Sequence, residues 1–321
     1  MNPVPNSAGL PPTAFGGGHS VSGGKRELGR SAAKAEKAFS AGPGLWSIFW
    51  QEFGLQNAPQ ERCHVPVAGR HAIDRHWAQF SDGLRPGAQV IDLGCGAGVA
   101  GRVLLSRRND LAVTGVDWAN VPATHVTNLA IHAGVRMEAL PFGDGCFDAA
   151  ISLFGIEYGN IVETARELER VLKPGAQFSF LVHHRESEIH REGSTRRRAL
   201  RELTRGKLKA AFLAGNSTGI DRQRERLKAQ FPDEPMVGLL CDYCRRNIAR
   251  TRAERQAMWQ KLARELDPEI ALLMHLERSA KSAADMGAWL VSLLSIMSRV
   301  GVSVLRTSSG EPIAWDVRGT R

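Results

Sequence analysis

The sequence lacks an apolar run long enough to cross a lipid bilayer. Its longest run, Met286–Met297, has 12 residues, whereas a transmembrane helix needs about 20. Residues 1–26 contain no acidic residue, but they also lack a continuous apolar segment and an arginine-rich amphipathic face. Neither a secretory nor a transit peptide is therefore predicted, and we expect a cytoplasmic protein with no membrane span.

Cysteines are few, and their number is odd. The five cysteines are scattered, which argues against a disulfide framework and for reduced thiols. Cys241 and Cys244 form a C-x-x-C pair, but no second pair accompanies it, so two buried thiols are favoured over a zinc site. The histidines and glutamates between residues 183 and 190 also lack a diagnostic ligand spacing, and no metal is predicted.

What the chain does contain suits a globular protein. It has 321 residues, 43% hydrophobic and 23% charged, enough for one large domain or one domain with an insertion. Residues 1–40 are rich in Pro, Gly and Ser and are predicted to be a disordered tail. Aromatic residues at helical spacing in Leu45–Phe53 predict a helix, and a second helix is expected at about Ala68–Phe80.

The middle of the chain alternates between strand and helix patterns, which is typical of a mostly parallel sheet covered on both faces. We predict helices that start at Gly98, near Pro122 and at Val162. The predicted strands are Val90–Leu93, Ala112–Val116, Val135–Glu138, Ala149–Leu153 and Gln177–Val182.

This assignment of helices and strands divides the whole chain into four predicted regions. The tail, residues 1–40, is followed by N-terminal helices and an α/β core over residues 41–184. Residues 185–299 are a helical basic insertion, interpreted as a cap over a substrate cleft, and residues 300–321 are a β-hairpin that completes the sheet. An antiparallel hairpin closing a parallel sheet distinguishes this arrangement from dinucleotide-binding folds.

Two overlapping glycine patterns occur in Val90–Gly101, VIDLGCGAGVAG. Counted from Gly96, the pattern is G-x-G-x-x-G, and Asp117 follows its middle glycine by 19 residues, as a dinucleotide site requires. Counted from Asp92, it is D-x-G-x-G-x-G. The acid alone does not discriminate, because a nicotinamide ribose and an S-adenosylmethionine ribose need the same two acceptor oxygens.

Four features taken in order favour the second pattern. They are Asp92 before the glycines, Asp117 after the next strand, Leu140-Pro-Phe142 before Phe147-Asp148, and Leu172-Lys-Pro-Gly175 before the fifth strand. This set resembles the class I S-adenosylmethionine-dependent methyltransferases, particularly the subset with the ubiquinone and menaquinone biosynthesis enzymes. The resemblance covers about Gln89–His184 and implies a Rossmann-like, doubly wound, mostly parallel seven-stranded sheet, with the helical insertion before the last two strands.

The resemblance also implies S-adenosyl-L-methionine as cofactor and a set of binding residues. The glycines permit positive φ, so that amides at the helix start face the carboxylate of the methionine part. Asp92 positions the methionine ammonium or holds the loop, and Asp117 accepts from two ribose hydroxyls. Trp118 packs on the adenine or fills core. The full predicted set is Asp92, Gly94, Cys95, Gly96, Gly98, Asp117, Trp118, Met137, Glu138 and Leu153.

The sequence departs from this family at one position. Members often carry an Asp two residues before the acid of the "EALPF" stretch, where it accepts from the adenine amino group, but this chain has Arg136. The adenine must then be recognised in another way, for which the backbone at Met137 and Glu138 is one option.

Candidate acceptor-side residues follow the fourth and fifth strands, whose carboxyl ends border the cleft in open α/β sheets. Glu157, Tyr158 and His183 are the predicted catalytic residues, with His183 or His184 as a base because imidazole titrates near neutral pH. Adjacent histidines on a strand point to opposite sides, so at most one of the two faces the cleft.

Positive charge is concentrated in the insertion. Residues 185–265 contain 20 Lys and Arg against 11 Asp and Glu, which suits RNA phosphates, an acidic small substrate or a solvated helical surface. We expect methyl transfer to O, N or C of a small molecule. The alternatives are an RNA methyltransferase that uses the insertion and a non-catalytic cofactor-binding protein; the acceptor and the oligomeric state are not predicted.

Overall fold

The computed structural model describes residues 44–53 and 67–321. The predicted tail, residues 1–40, lies outside these ranges. The described residues form two compact units. One comprises Ser194–Met274, and the other comprises the described residues up to Gly193 together with His275–Arg321. We call them the helical unit and the sheet unit. No helix in the described part of the chain is long and apolar enough to cross a membrane.

The sheet unit is built on a sheet of seven strands within the described residues, in the order β3-β2-β1-β4-β5-β7-β6. Strands β1 to β5 are parallel, and β7 runs antiparallel to both β5 and β6. The predicted fold class and the C-terminal hairpin are thereby confirmed. The strands are β1 (Gln89–Leu93), β2 (Ala112–Asp117), β3 (Leu129–Ala133), β4 (Phe147–Leu153), β5 (Leu172–His183), β6 (Ser298–Arg306) and β7 (Pro312–Thr320).

Apolar residues cover both faces of this sheet because side chains alternate along each strand. In β1, Val90 packs in one core with Trp77 and Leu104, while Ile91 packs in the opposite core with Leu168. The helices of the sheet unit are α1 (Gly44–Phe53), α2 (Val67–Asp82), α3 (Val99–Arg107), α4 (Ile161–Val171) and α10 (Ala283–Leu294). A parallel sheet buried in this way places its strand ends, rather than its faces, next to solvent.

The helical unit has a core of its own, in which Phe212 and Trp259 lie among leucines such as Leu240. Its elements are α5 (Glu188–Arg205), α6 (Lys207–Ala214), α7 (Ser217–Gln230), α8 (Pro235–Arg246) and α9 (Arg252–Ser279), of which α5 and α9 also contribute residues to the sheet unit. The insertion before the last two strands is therefore helical, as predicted. Its function as a cap stays a prediction.

Two predicted elements are wrong. No helix forms near Pro122, because Val121, Thr124 and Val126 have low helix propensity and the Thr124 hydroxyl accepts from the Val126 amide at 3.2 Å. The third strand is Leu129–Ala133 rather than Val135–Glu138. Val135 makes one backbone hydrogen bond to Asp117, after which the chain turns; its β-branched side chain suggested a strand that the backbone does not continue.

Candidate functional site

The glycine loop joins β1 to α3 and has three residues in the left-handed region. Gly94, Gly96 and Gly98 have φ of +61°, +50° and +75°, which side chains of other residues rarely tolerate. Gly98 is the N-cap of α3 and provides no side-chain hydrogen bond to the first turn. The first amides of α3 therefore have no side-chain acceptor from the cap, which is the arrangement that suits an anionic group.

A further glycine outside the loop, Gly155, is needed where the loop passes the end of β4. A Cβ on Gly94 would lie 2.8 Å from the Gly155 Cα, and a Cβ on Gly155 would lie 2.7 Å from the carbonyl oxygens of Leu93 and Gly94. Ser152 stabilises the close approach of these two backbone segments, since its hydroxyl donates to the Leu93 carbonyl at 2.7 Å. The sequence analysis did not identify Gly155; its only signal is a glycine two residues after a buried strand.

Helix α1 lies on the same loop. A Cβ at Gly96 would overlap the indole of Trp50, and the Asn120 amide donates to the Ser47 hydroxyl at 2.9 Å. Trp46 meets Tyr158 edge to face, with ring centroids 5.1 Å apart. The predicted aromatic helix is therefore positioned against both the glycine loop and the residues after β4.

Asp117 ends β2 and faces the loop. Its Oδ2 accepts from the Gly96 amide and its Oδ1 from the Ala119 amide, both at 2.8 Å. Burial raises the pKa of this carboxyl, and the two amides offset part of the shift. Each oxygen keeps a second lone pair, so the carboxylate remains able to accept from two further donors such as vicinal hydroxyls.

Asp92 is the least satisfied polar group near the loop. It is 1% exposed, and neither carboxyl oxygen has a hydrogen-bond partner among the described residues. Burial raises its pKa to about 8; the nearby Gly101 amide lowers it, and the Asp117 carboxylate raises it. A buried carboxyl without partners is costly, and a cationic ligand group would remove that cost.

Three predicted cofactor residues have side chains engaged within the protein. The Cys95 thiol packs against β2, where a Cβ on Gly115 would lie 2.6 Å from its sulfur, and burial raises its pKa. Met137 packs against Gly159. Glu138 Oε1 accepts from the Asn160 amide at 2.9 Å, so this carboxylate supports the start of α4.

Glu157 and His183 form a buried pair across the ends of β4 and β5. Glu157 Oε1 lies 2.6 Å from His183 Nδ1 and also accepts from the His183 amide at 2.9 Å. The imidazole stacks on Phe154, with ring centroids 4.2 Å apart. Phe154 has φ of +54°, an uncommon conformation for a large residue, and this turn places its ring on the histidine. Leu153, just before the turn, is half-buried against the core.

A family model described as a methyltransferase domain matches residues 91–180. A 2-phytyl-1,4-naphtoquinone methyltransferase of Synechocystis is 32% identical over 135 residues, 36% of this chain and 53% of that protein. A demethylmenaquinone methyltransferase of Corynebacterium kroppenstedtii is 35% identical over 98 residues, 30% of this chain and 42% of that protein.

These matches support the resemblance of residues 91–180 to the class I S-adenosylmethionine-dependent methyltransferases. The matched part of the chain spans about half the length of these curated relatives. Among solved structures, an S-adenosylmethionine-dependent methyltransferase from Aquifex aeolicus is 12% identical to this chain. The match covers 82% of this chain and 99% of that chain, with a TM-score of 0.41.

The remaining candidate residues lie elsewhere. His184 stacks on Trp315 at 4.3 Å and accepts from the Glu186 amide through Nδ1, so the two adjacent histidines have different surroundings. Burial lowers the pKa of His184. Among the described residues, no group of three or more His, Cys, Asp or Glu side chains is placed to hold a metal ion. Cys241 and Cys244 are buried thiols whose pKa burial raises, to about 11 for Cys241.

Proposed function

We propose that this chain transfers the methyl group of S-adenosylmethionine to a small-molecule acceptor whose reacting atom carries a proton, such as a hydroxyl. The observation that carries the proposal is the Glu157–His183 pair, at 2.6 Å, beside the strand end that borders the glycine loop. A good nucleophile needs only alignment, whereas a hydroxyl needs a base.

The loop and the two aspartates fit the proposed cofactor. Asp92 is a buried carboxyl without a partner and suits the methionine ammonium. Asp117 has spare lone pairs for two ribose hydroxyls, and the amides at the start of α3 suit the methionine carboxylate. When bound, S-adenosylmethionine supplies an electrophilic methyl group on a sulfonium.

His183 is the proposed base, and Glu157 is a positioning residue. An ionised carboxylate only accepts hydrogen bonds, so Glu157 keeps a proton on Nδ1 and leaves Nε2 as the acceptor nitrogen. Nε2 would take the proton of the acceptor hydroxyl as the methyl group passes from the sulfonium sulfur to the hydroxyl oxygen, with S-adenosylhomocysteine as the leaving group, and Glu157 would stabilise the resulting imidazolium. The stack with Phe154 fixes the ring plane.

The acceptor class is proposed to be a small molecule rather than RNA. Many arginines of the helical unit already pair with acids of the same unit, including Arg196, Arg224, Arg226 and Arg245. These pairs reduce the charge available to phosphates. The relatives named for naphthoquinone and menaquinone substrates also support a small acceptor.

Calorimetry and methyl-transfer assays test this proposal. We expect the full chain to bind S-adenosylhomocysteine and not NAD, and to transfer label from S-adenosylmethionine into a pool of hydroxylated small molecules. RNA from the same source is the parallel acceptor. Tight binding of NAD would remove the proposed donor, and labelled RNA with an unlabelled small-molecule fraction would overturn the acceptor class.

A further inference from the structure

Helix α10 carries the two most exposed large apolar side chains of the residues that the structure describes. Val291 is 70% exposed and Leu294 is 55% exposed. Leu239, at 37%, lies on α8, and Trp118, at 42%, lies against the Arg136 guanidinium, whose carbon is 4.9 Å from the ring centroid. Large apolar side chains exposed side by side indicate an interaction surface, whereas isolated ones do not.

The exposed residues form one face of α10, which we call the outer face. It consists of Ala284, Gly287, Ala288, Val291 and Leu294. The opposite face packs on the sheet, where Met286, Trp289 and Leu293 are buried. A surface helix usually has charged and polar residues opposite its buried stripe, but this outer face is apolar along its length.

The outer face is also uncharged. No charged residue occurs in Met286–Ser298, although the whole chain is 23% charged and has a net charge of +9. A helix that binds a lipid surface usually has Lys or Arg on its polar face, and α10 contains neither. In a symmetric dimer a patch meets its own copy, so an uncharged patch avoids the repulsion that other parts of this basic chain would cause.

Strand β6 lies beside α10 at the edge of the sheet. Val300 and Val302 of this strand pack in the same core as Trp289 and Leu293 of the helix. Among the described strands, β6 pairs with β7 alone, and this pairing is regular over Gly301–Leu305. The other side of this segment has backbone groups with no strand partner, and such an edge can accept a further strand.

We propose that the outer face of α10 and the free edge of β6 together form the interface of a two-fold symmetric dimer of this chain. Antiparallel pairing of two identical strands is itself two-fold symmetric, with the axis perpendicular to the sheet. This axis keeps both α10 helices on the same face of the joined sheet. A second copy thus covers the apolar helix face and the open strand edge in one contact, and the dimer does not depend on the proposed methyl transfer.

Sedimentation velocity of the full chain over a range of concentrations tests the dimer. We expect a species with twice the 35.0 kDa mass of the chain, in a proportion that rises with concentration. Val291→Glu and Leu294→Glu should each raise the dissociation constant of the dimer by about a hundred-fold, because each variant brings two like charges together at the interface.

Leu239→Glu is the matched control for these variants. It makes the same change in charge at an exposed leucine of the helical unit, and it should leave the dissociation constant within about three-fold of the wild-type value. Thermal melting of each variant checks that the fold is retained.

Hydrogen exchange tests the part of the strand in the interface. The amides of Gly301–Leu305 should exchange more slowly as the dimer forms, because strand pairing protects them. The amides of β3, the opposite edge of the sheet, should exchange at the same rate at every protein concentration.

Four outcomes would overturn the proposal. They are a monomer at every concentration, a dimer that persists in folded Val291→Glu and Leu294→Glu variants, an equal loss of dimer in Leu239→Glu, and a dimer in which the β6 amides exchange as fast as in the monomer. Co-sedimentation of the wild-type chain, but not of Val291→Glu, with vesicles of phosphatidylcholine and phosphatidylglycerol would assign the outer face to a lipid surface instead.

Discussion

In the helical unit, Arg196 donates to Glu234 at 2.9 Å and to Glu269 at 2.5 Å, so that a charged cluster in a largely buried position is satisfied within the unit. In the sheet unit, Asp92 is buried with neither oxygen partnered. The helical unit has the higher density of charge in the sequence, yet several of its arginines pair with acids of the same unit. An unsatisfied buried group is the better indicator of a ligand site.

The largest expected effect is on catalysis in the sheet unit. His183→Ala should lower kcat by about 10²–10⁴, the usual contribution of a general base, with S-adenosylhomocysteine affinity unchanged. Glu157→Gln should lower kcat less and alter the pH profile, because the neutral amide no longer stabilises the imidazolium. Steady-state kinetics and calorimetry measure both.

His184→Ala is the matched control for this prediction, since it removes the same side chain one residue further along. It should retain most of the activity per folded molecule. Equal losses in His183→Ala and His184→Ala would show that the strand end, rather than a specific imidazole, is required.

The next effect is on the stability of the helical unit. Arg196→Ala leaves Glu234 and Glu269 buried without their cation, so the free energy of unfolding should fall by about 3–5 kcal/mol. Arg226→Ala removes an exposed pair with Glu202 and should cost less than about 1 kcal/mol. Urea denaturation of both variants measures the two losses in free energy of unfolding. Similar losses would contradict the expectation that the buried Arg196 cluster contributes more to stability than the exposed Arg226–Glu202 pair.

The variant Asp117→Ala tests whether the carboxylate that faces the glycine loop contributes to ligand binding. Loss of hydrogen bonds to a charged group should weaken S-adenosylhomocysteine binding by about 1.5–3 kcal/mol, as measured by calorimetry. Asp144→Ala, which removes an exposed acid from the surface, is the control and should bind normally. An unchanged affinity in Asp117→Ala would remove Asp117 from the site.

The smallest expected effect is the release of up to about one proton when the ligand binds. Burial raises the pKa of Asp92 to about 8 in the folded state, compared with about 3.9 in the unfolded chain. Between these two pH values the folded state binds more protons than the unfolded state, so the free energy of unfolding falls as pH rises from about 4 to 8. An ammonium ligand would lower this pKa, so S-adenosylhomocysteine binding near pH 7 should release up to about one proton. Calorimetry in buffers of different ionisation enthalpy measures the release, and Asp92→Asn should abolish it.

The sequence predicted those elements whose signals are local. Strands β1 and β4 are short buried apolar runs, and the glycine pattern at Gly94–Gly98 marks its own loop. The erroneous helix near Pro122 followed from a helix-start signal at proline without apolar periodicity behind it. The third strand was misplaced because Leu129–Ala133 and the β-branched Val135 are close in sequence, and only pairing with β2 separates them.

Long-range contacts limited how much of the candidate site could be predicted from the sequence. Glu157 and His183 were both predicted, but their hydrogen bond joins residues 26 apart in sequence, and no local pattern shows which of two adjacent histidines receives it. The approach of Gly155 to Gly94 and the overlap of Trp50 with Gly96 are likewise products of tertiary packing. The acid Asp117 was found because its distance from the glycines follows from one strand-helix-strand unit.

Helix α1 has a kinetic consequence for the proposed cycle. With Trp50 on Gly96 and Trp46 on Tyr158, the first helix covers the loop that would hold the spent donor. Exchange of that product for fresh donor then requires this helix to undock, and we expect its residence time to be set by the packing of two tryptophans rather than by diffusion. Weakening that packing would shorten the dwell of the product, so the speed of repeated turnover would depend on residues that never touch the acceptor.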